Sequence, residues 1–385
     1  MGSVIGVTPA GVDASAVITI YENAMTCSWS VEAFPDAGDV RYVVPNASNT
    51  SGYATIARKD GTRTIAMVMV EHTAPGDPVF LRYTSDGGDT WNDTATFDPD
   101  YSSSGRRHLI YDNVNDIWVY WNHKEAIAYT MQGDLAGASW GAQDLNTLAN
   151  VEPYDYNLFF HDGLYLLVPE DNVTDGPPFL YYANTDIISG SWLPVTVPDD
   201  TTEWYNRGCA HDGTRWYLLQ GDGTDMQLWV STTGYTFTVA VADVEALFGG
   251  LLTDVFPDIG ADDGRVVIIA GDIGAGTYSI YSDDGGLTWS SPVQLGTDTT
   301  SRIKIGPIAK LGDYWVAGEE GGVNTFGSFN TEAIWTSYDL TEWSKCITPL
   351  SPYSIEYDST ERRFIAGGPN SLGSVDAEYL FKEGY

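Results

Sequence analysis

Arg107, Arg207 and Arg302 each stand at the start of a run read below as an innermost strand. A guanidinium is a rigid fork of donors that matches a carboxylate bidentately, so three that converge would clamp an acidic ligand. Around the second arginine the chain reads Glu203-Trp204-Tyr205-Asn206-Arg207, and farther upstream it reads Tyr154-Asp155-Tyr156. Flat rings beside Asp and Asn hold sugars by stacking and hydrogen bonding. Tyr154, Tyr156, Trp204, Tyr205 and Arg207 are therefore the candidate ligand-binding residues.

Other chemistries find little footing. The sequence has no GxSxG, no HExxH and no P-loop, and the glycine-rich stretch 271–276 lacks the following helix that a phosphate cradle needs. The histidines (His72, His108, His123, His161 and His211) are scattered. His161 and His211 each precede an Asp-Gly pair, so they recur by repeat position, which points to structure rather than metal ligation. Cys27, Cys209 and Cys346 are far apart and odd in number, so neither a metal nor a disulfide framework is expected. No cofactor is called for. The Asp-rich stretches 93–100 and 171–175 offer oxygen ligands of the kind calcium takes, without the spacing of an EF-hand.

The elements that must position these residues are legible from a repeat. Thr84-Ser85-Asp86-Gly87-Gly88-Asp89-Thr90-Trp91 and Ser282-Asp283-Asp284-Gly285-Gly286-Leu287-Thr288-Trp289 share the pattern Ser/Thr-x-Asp-x-Gly-x-Thr-Trp. Decayed copies end at Trp140, Trp192, Phe237 and Trp343, so successive marks lie 45 to 54 residues apart. A period of this length means an array of one supersecondary unit. In step with it run seven short turns: Asp60-Gly61, Asn115-Asp116, Asp162-Gly163, Asp212-Gly213, Asp263-Gly264, Gly312-Asp313 and Ser359-Thr360. Asp-Gly supplies the positive φ of a tight hairpin. The runs between turns are short and rich in β-branched and aromatic residues, as in Arg265-Val266-Val267-Ile268-Ile269-Ala270. Helical periodicity is nearly absent, apart from one short turn within 241–248.

Four antiparallel strands per unit, repeated radially, make an all-β propeller. Seven turns predict seven four-stranded blades; six blades, with the first fifty residues outside the ring, is the alternative. Residues 51–385 then form the propeller and 1–50 an N-terminal segment, either latch strand or docking arm. The last blade is a strand short, and Ala16-Val17-Ile18-Thr19-Ile20-Tyr21 or Cys27-Ser28-Trp29-Ser30 could complete it and close the ring.

The two complete boxes resemble the Asp-box, or BNR, repeat of sialidase-type propellers, a family with relatives among tailed-virus structural proteins. The resemblance implies a structural box: Asp86 and Asp284 cap the turn between third and fourth strands, Gly88 and Gly286 permit it, and Trp91 and Trp289 pack between sheets. It also implies where catalysis would sit. Sialidases use an arginine triad on the substrate carboxylate, a tyrosine nucleophile assisted by a glutamate, and an aspartate acid/base. The matching positions here are Arg107, Arg207 and Arg302 with Tyr205 and Glu203. The family's Arg-Ile-Pro signature is not met; Arg41-Tyr42-Val43-Val44-Pro45 places its proline too late, and no acid/base motif is recognisable.

Composition bounds the partners. There are 53 Asp and Glu against 18 Lys and Arg in 385 residues, a net charge of −35. Nucleic acid binding needs a basic patch, and anionic membranes would repel such a surface. The acidity fits a self-repelling, dispersed protein, or one adapted to high salt that screens the repulsion. No run of eighteen apolar residues exists to span a membrane, and Met1-Gly2-Ser3-Val4 opens no signal peptide. The expectation is a chain made in a cytoplasm and carried in a virion. It would be a non-catalytic structural or recognition propeller that displays loops to a host glycan or receptor and oligomerises through assembly with other virion subunits. A sialidase-type glycoside hydrolase is the alternative.

Overall fold

Short apolar runs joined by tight turns pair with their neighbours in sequence, and the computed structural model follows that local rule almost throughout. It describes residues 27–29, 56–59, 61–70, 79–86, 90, 92–95, 108–122, 126–145, 156–169, 181–200, 205–221, 225–251, 257–272, 276–296, 304–320, 333–347, 354–358, 363–369 and 376–383. These residues form seven four-stranded antiparallel sheets. Six take four consecutive strands each: blade 1 at 56–93, blade 2 at 108–144, blade 3 at 156–195, blade 4 at 205–241, blade 5 at 258–296 and blade 6 at 304–347.

The seventh blade is completed from the other end of the chain. Ser354–Asp358, Arg363–Pro369 and Asp376–Glu383 supply its first three strands, and Cys27–Trp29 pairs with the last of these as the outer strand. Of the two runs expected to latch the ring, the one at Cys27 does so; the one at 16–21 lies outside the described residues. Inner strands of successive blades touch, and that of blade 7 touches that of blade 1. There the Ile56 N–H donates to Ser354 Oγ at 2.8 Å. A closed ring leaves no sheet edge to template pairing with another chain at its centre.

Six of the seven expected hairpin turns are where the sequence put them. Gly61, Asp116, Asp162, Gly163, Gly213, Asp263, Gly264 and Gly312 all take positive φ. The seventh, at Ser359-Thr360, lies outside the described residues. The short turn expected within 241–248 is a 3-10 turn at Glu245–Phe248, whose Phe248 is fully buried against blade 5.

The core lies between blades. Each second strand is covered on both faces, so Ile117–Asn122, Leu164–Pro169 and Trp216–Gly221 are buried at every position. In blade 4, Trp216 and Leu218 face blade 3, while Tyr217 and Leu219 face blade 5. Trp118, Trp121, Trp229 and Trp315 are among the largest fully buried side chains. Removing roughly 200 Å² of each from water at about 25 cal/mol per Å² contributes about 5 kcal/mol before conformational entropy.

Candidate functional site

The inner strands all begin at one face of the ring, the entry face, and end at the other. The hairpin turns and the Asp boxes share that second face, the box face, because they follow the first and third strands of each blade.

At the box face the polar side chains close on the ring itself. Asp284 Oδ1 accepts from the Leu287 and Thr288 N–H groups at 3.0 and 2.8 Å, and Oδ2 from Thr288 Oγ1 at 2.7 Å. Ser282 Oγ donates to Asp284 and accepts from the Gly286 N–H. Thr288 and Ser282 hold the Asp284 carboxyl down at about 2. Gly286 sits at φ 91 and accepts from Trp289 Nε1 at 3.1 Å. Trp289 packs on the core between blades 4 and 5. Asp86 repeats the scheme, accepting from the Thr90 N–H at 2.9 Å and Thr90 Oγ1 at 2.6 Å. Gly88 and Trp91 lie outside the described residues. In blade 4 the box has lost its aspartate, and Ser231 Oγ alone accepts from the Thr233 and Gly234 N–H groups.

Contacts between turns then tie blade to blade. Lys59 of blade 1 donates to Asp116 of blade 2 at 2.5 Å. Tyr165 of blade 3 donates to Asp112 of blade 2 at 2.6 Å, and Asp112 also caps its own turn. The Asp263 N–H of blade 5 donates to the Asp212 carbonyl of blade 4 at 3.0 Å. Arg215 of blade 4 lies against Gly285 of the blade 5 box, so closely that a methyl group there would fall 2.1 Å from both terminal nitrogens. Gly285 is favoured by its φ of 74, and a methyl group there would also push the flexible Arg215 guanidinium aside. Asp212, fully enclosed, takes hydrogen bonds from Tyr217, Thr214 and the Arg215 N–H. Burial pushes its carboxyl up, but those bonds outweigh burial and hold it below the usual range.

Between blades 3 and 4 the contact is aromatic. His161 and His211 stack with centroids 5.6 Å apart, and each meets Trp216, at 5.3 and 5.1 Å. Nδ1 of His211 accepts from the Gly213 N–H at 3.2 Å. Burial, and then the neighbouring His211, push His161 down to about 4.

Of the residues singled out for ligand chemistry, the described ones belong to inner strands near the entry face. Arg107, Arg302, Glu203, Tyr154 and Trp204 lie outside the described residues. Tyr205 begins the inner strand of blade 4 and pairs with Gly221. Tyr156 was expected to line the channel mouth and instead is 1% exposed. It packs between blades 2 and 3 with Trp121, whose Nε1 donates to the Tyr156 carbonyl at 2.9 Å. The alternation of its strand turns its ring into that core, so its bulk fills space rather than offering a surface.

Arg207 is half-buried at a bulge, where the register shifts between Asn206 and Gly208. Asn206 Oδ1 accepts from the Gly208 N–H at 2.9 Å and fixes the bulge. Gly208 itself has no room for a side chain, since a methyl group would fall 2.4 Å from Asp258 Oδ1 of blade 5. Arg207 lies over Gly221, where a methyl group would come within 3.4 Å of Nε. Next in the strand, Cys209 is held far above its usual range by burial and by Asp258, so it is a protonated thiol and no nucleophile.

The sequence reading missed three features. One is the buried Glu319 carboxylate in blade 6, to which the partly exposed Lys345 donates at 2.9 Å and Trp335 Nε1 at 2.6 Å. The second is the capping by Asp112 and Asp212; an Asp ahead of each turn was a visible signal. The third is a row of carboxamides in blade 4, hidden in an apolar run.

Comparison with known proteins bears on the fold. No protein-family model matches the chain, and no curated protein matches it. Among solved structures it is similar to YCF48 bound to D1 peptide, at 14% identity and a TM-score of 0.52, covering 90% of this chain and 96% of that one. It is also similar to the β-propeller domain of the Trilobed protease from Pyrococcus furiosus, at 6% identity and a TM-score of 0.51, covering 86% and 94%. The fold is a β-propeller. The NanB sialidase from Streptococcus pneumoniae also matches, at 10% identity over 91% of this chain and 71% of that one, but its TM-score of 0.46 carries no weight for function.

Asp93, one end of an Asp-rich stretch considered for calcium, is engaged bidentately by Arg82 at 2.5 and 2.8 Å. Among the described residues no three His, Cys, Asp or Glu side chains gather to hold a metal ion.

Proposed function

We propose that this chain is a non-catalytic recognition propeller, a structural component of a virus particle or its tail that displays entry-face loops to a host glycan or receptor. One observation carries the reading. The ring is knitted together by polar contacts at its box face, whereas the described residues at the entry face of blade 4 include an arginine on a bulge, neutral amides and a protonated Cys209 thiol. Such a face is suited to holding a ligand. The YCF48 structure has a peptide bound, which fits binding duty for a propeller of similar shape. The Asp-box resemblance supplies the viral context by analogy. The partners would be other virion subunits and a surface glycan or receptor.

The test has two arms. Fluorogenic sialosides and aryl glycosides are incubated with the protein at low and high salt, and the protein is applied to a glycan array. Binding without turnover is the expected result. Turnover abolished by Arg207→Ala would instead establish the sialidase-type hydrolase, with Arg107 and Arg302 completing its clamp. Co-sedimentation of the chain with purified virus particles is expected, and its absence from every particle fraction would sink the virion assignment.

A salty habitat belongs to the same proposal. With a net charge of −35, the surface repels itself, and added salt screens that repulsion. The melting temperature is expected to rise between dilute and molar KCl; a flat response would remove this part of the reading.

A further inference from the structure

The junction of blades 3 and 4 ends, at the entry face, in a row of carboxamides. Antiparallel partners share one face of a sheet, and Asn206 pairs with Gln220, which pairs with Gln227. The alternation of Trp216, Leu218 and Gln220 turns the row toward blade 3. There Asn157 pairs with Val168, on the face that meets blade 4. Gln220 is 0% exposed, yet both its Oε1 and its Nε2 lack a hydrogen-bond partner among the described residues. Asn206 Nδ2 is likewise shielded and unpartnered, while its Oδ1 is used at the bulge. Gln227 Oε1 accepts from Trp229 Nε1 at 2.8 Å. Trp229 and Tyr181 lie 6.0 Å apart and form the aromatic wall beside the row.

An enclosed amide with both ends unpaired calls for a missing partner. We infer that the entry-face end of the blade 3–blade 4 junction is a binding site for a neutral, hydroxyl-rich ligand, a sugar residue, whose hydroxyls pair with Gln220 and Asn206. A hydroxyl both donates and accepts, which is what Gln220 Oε1 and Nε2 together require. Carboxamides offer no counter-charge, so an ionised group placed there would stay uncompensated. Arg207 does not supply one, because it lies on the other face of the sheet, over Gly221. Half-buried Asn206 and Gln227 flank the enclosed Gln220 in the same row. The inference rests on the recognition reading and narrows its ligand from any glycan to a neutral one.

Saturation-transfer NMR with the methyl glycosides of glucose, galactose and mannose, and with a methyl sialoside, tests it on the full chain. Transfer to at least one neutral glycoside is expected, with affinity falling at least tenfold in Gln220→Met. Met matches the size of Gln and removes only its hydrogen bonds. Asn206→Asp, which keeps the acceptor for Gly208 and removes the amide donor, gives a second variant that preserves the bulge; the same loss is expected. Thermal unfolding verifies that both variants fold. Neutral-glycoside binding that survives Gln220→Met and Asn206→Asp overturns the inference, since the amides are then structural or merely hydrated. Binding of the sialoside alone also overturns it and leaves the recognition reading standing. Silence with every sugar overturns both.

Discussion

The junction of blades 3 and 4 has two unlike ends. At the box face His161, His211 and Trp216 stack, and neighbouring turn groups find partners within the ring. At the entry face, in blade 4, Gln220 is as enclosed as the core and Asn206 is half-buried with its Nδ2 shielded, and both have hydrogen-bonding capacity left over. Between them runs an apolar middle of Leu166, Val168, Leu218 and Trp229. The contrast teaches that one junction can close its polar contacts at the box rim and, among the described residues, leave buried amide atoms unpaired at the entry rim without changing its strand plan. On the recognition reading proposed above, stability concentrates at the box face of this junction and ligand binding at its entry face.

The largest test strikes the shared middle. Trp229 is fully buried against Tyr181 and Leu218. Trp229→Ala is expected to cost about 3–5 kcal/mol, read by urea unfolding, through lost burial and the cavity left behind. Both ends should suffer, with glycoside binding and box-face amide protection falling together. Loss of binding at unchanged stability would mean the junction is not one packed unit.

Next in size is Asp212→Ala. The carboxylate is 5% exposed and serves Tyr217, Thr214 and the Arg215 N–H, so its loss orphans several enclosed donors. The expected cost is about 3 kcal/mol in urea unfolding. Glycoside affinity should stay unchanged, because the site is at the opposite rim. Weakened affinity in the folded variant would break the division of labour between the two rims.

The box face was largely readable from sequence because its chemistry is local. Asp284 reaches N–H groups three and four residues on, and Gly61, Gly163, Gly213, Gly264 and Gly312 occupy turns that demand positive φ. Even one contact across blades was half visible: His161 and His211 stand one period apart before equivalent turns, and a ring lays equivalent positions side by side. Tyr165 reaching Asp112 across 53 residues was not, since nothing in the letters says which way a tyrosine on a twice-buried strand points. The same limit misplaced Tyr156, an aromatic at a strand start whose ring turns inward. Gln220 hid within Leu218-Leu219-Gln220-Gly221, where a polar letter among apolar ones carries no direction.

A milder effect separates the rims by pH. His161 is held at about 4, below its ordinary 6.5, so the fold favours the neutral ring. Its contribution is complete above pH 6.5 and is lost as pH falls toward 4, where the unfolded chain binds a proton the folded one resists. The groups that face it are His211, which repels its charge, and Trp216; Asp212 and Asp162 act on His211, and Arg215 pairs with Asp212. In molar KCl, which screens the global charge, melting temperature should fall between pH 6.5 and 4, and His161→Phe should flatten that fall. Glycoside affinity should not follow it. An identical pH profile in His161→Phe would show that the stack does not report on this rim.

The smallest effect has the opposite sign. Gln220→Met removes two unpaired polar atoms from an enclosed site and replaces them with apolar volume of similar size. Leaving a buried polar group unmatched costs about 1–3 kcal/mol, less whatever an ordered water returns, so the variant should be more stable by about 1 kcal/mol. A polar-to-apolar change at Asp212 weakens the fold, and one at Gln220 strengthens it, although both residues are buried in blade 4. A destabilised Gln220→Met would mean that the amide already has its partners within the folded ring, and the entry face would then be as closed as the box face.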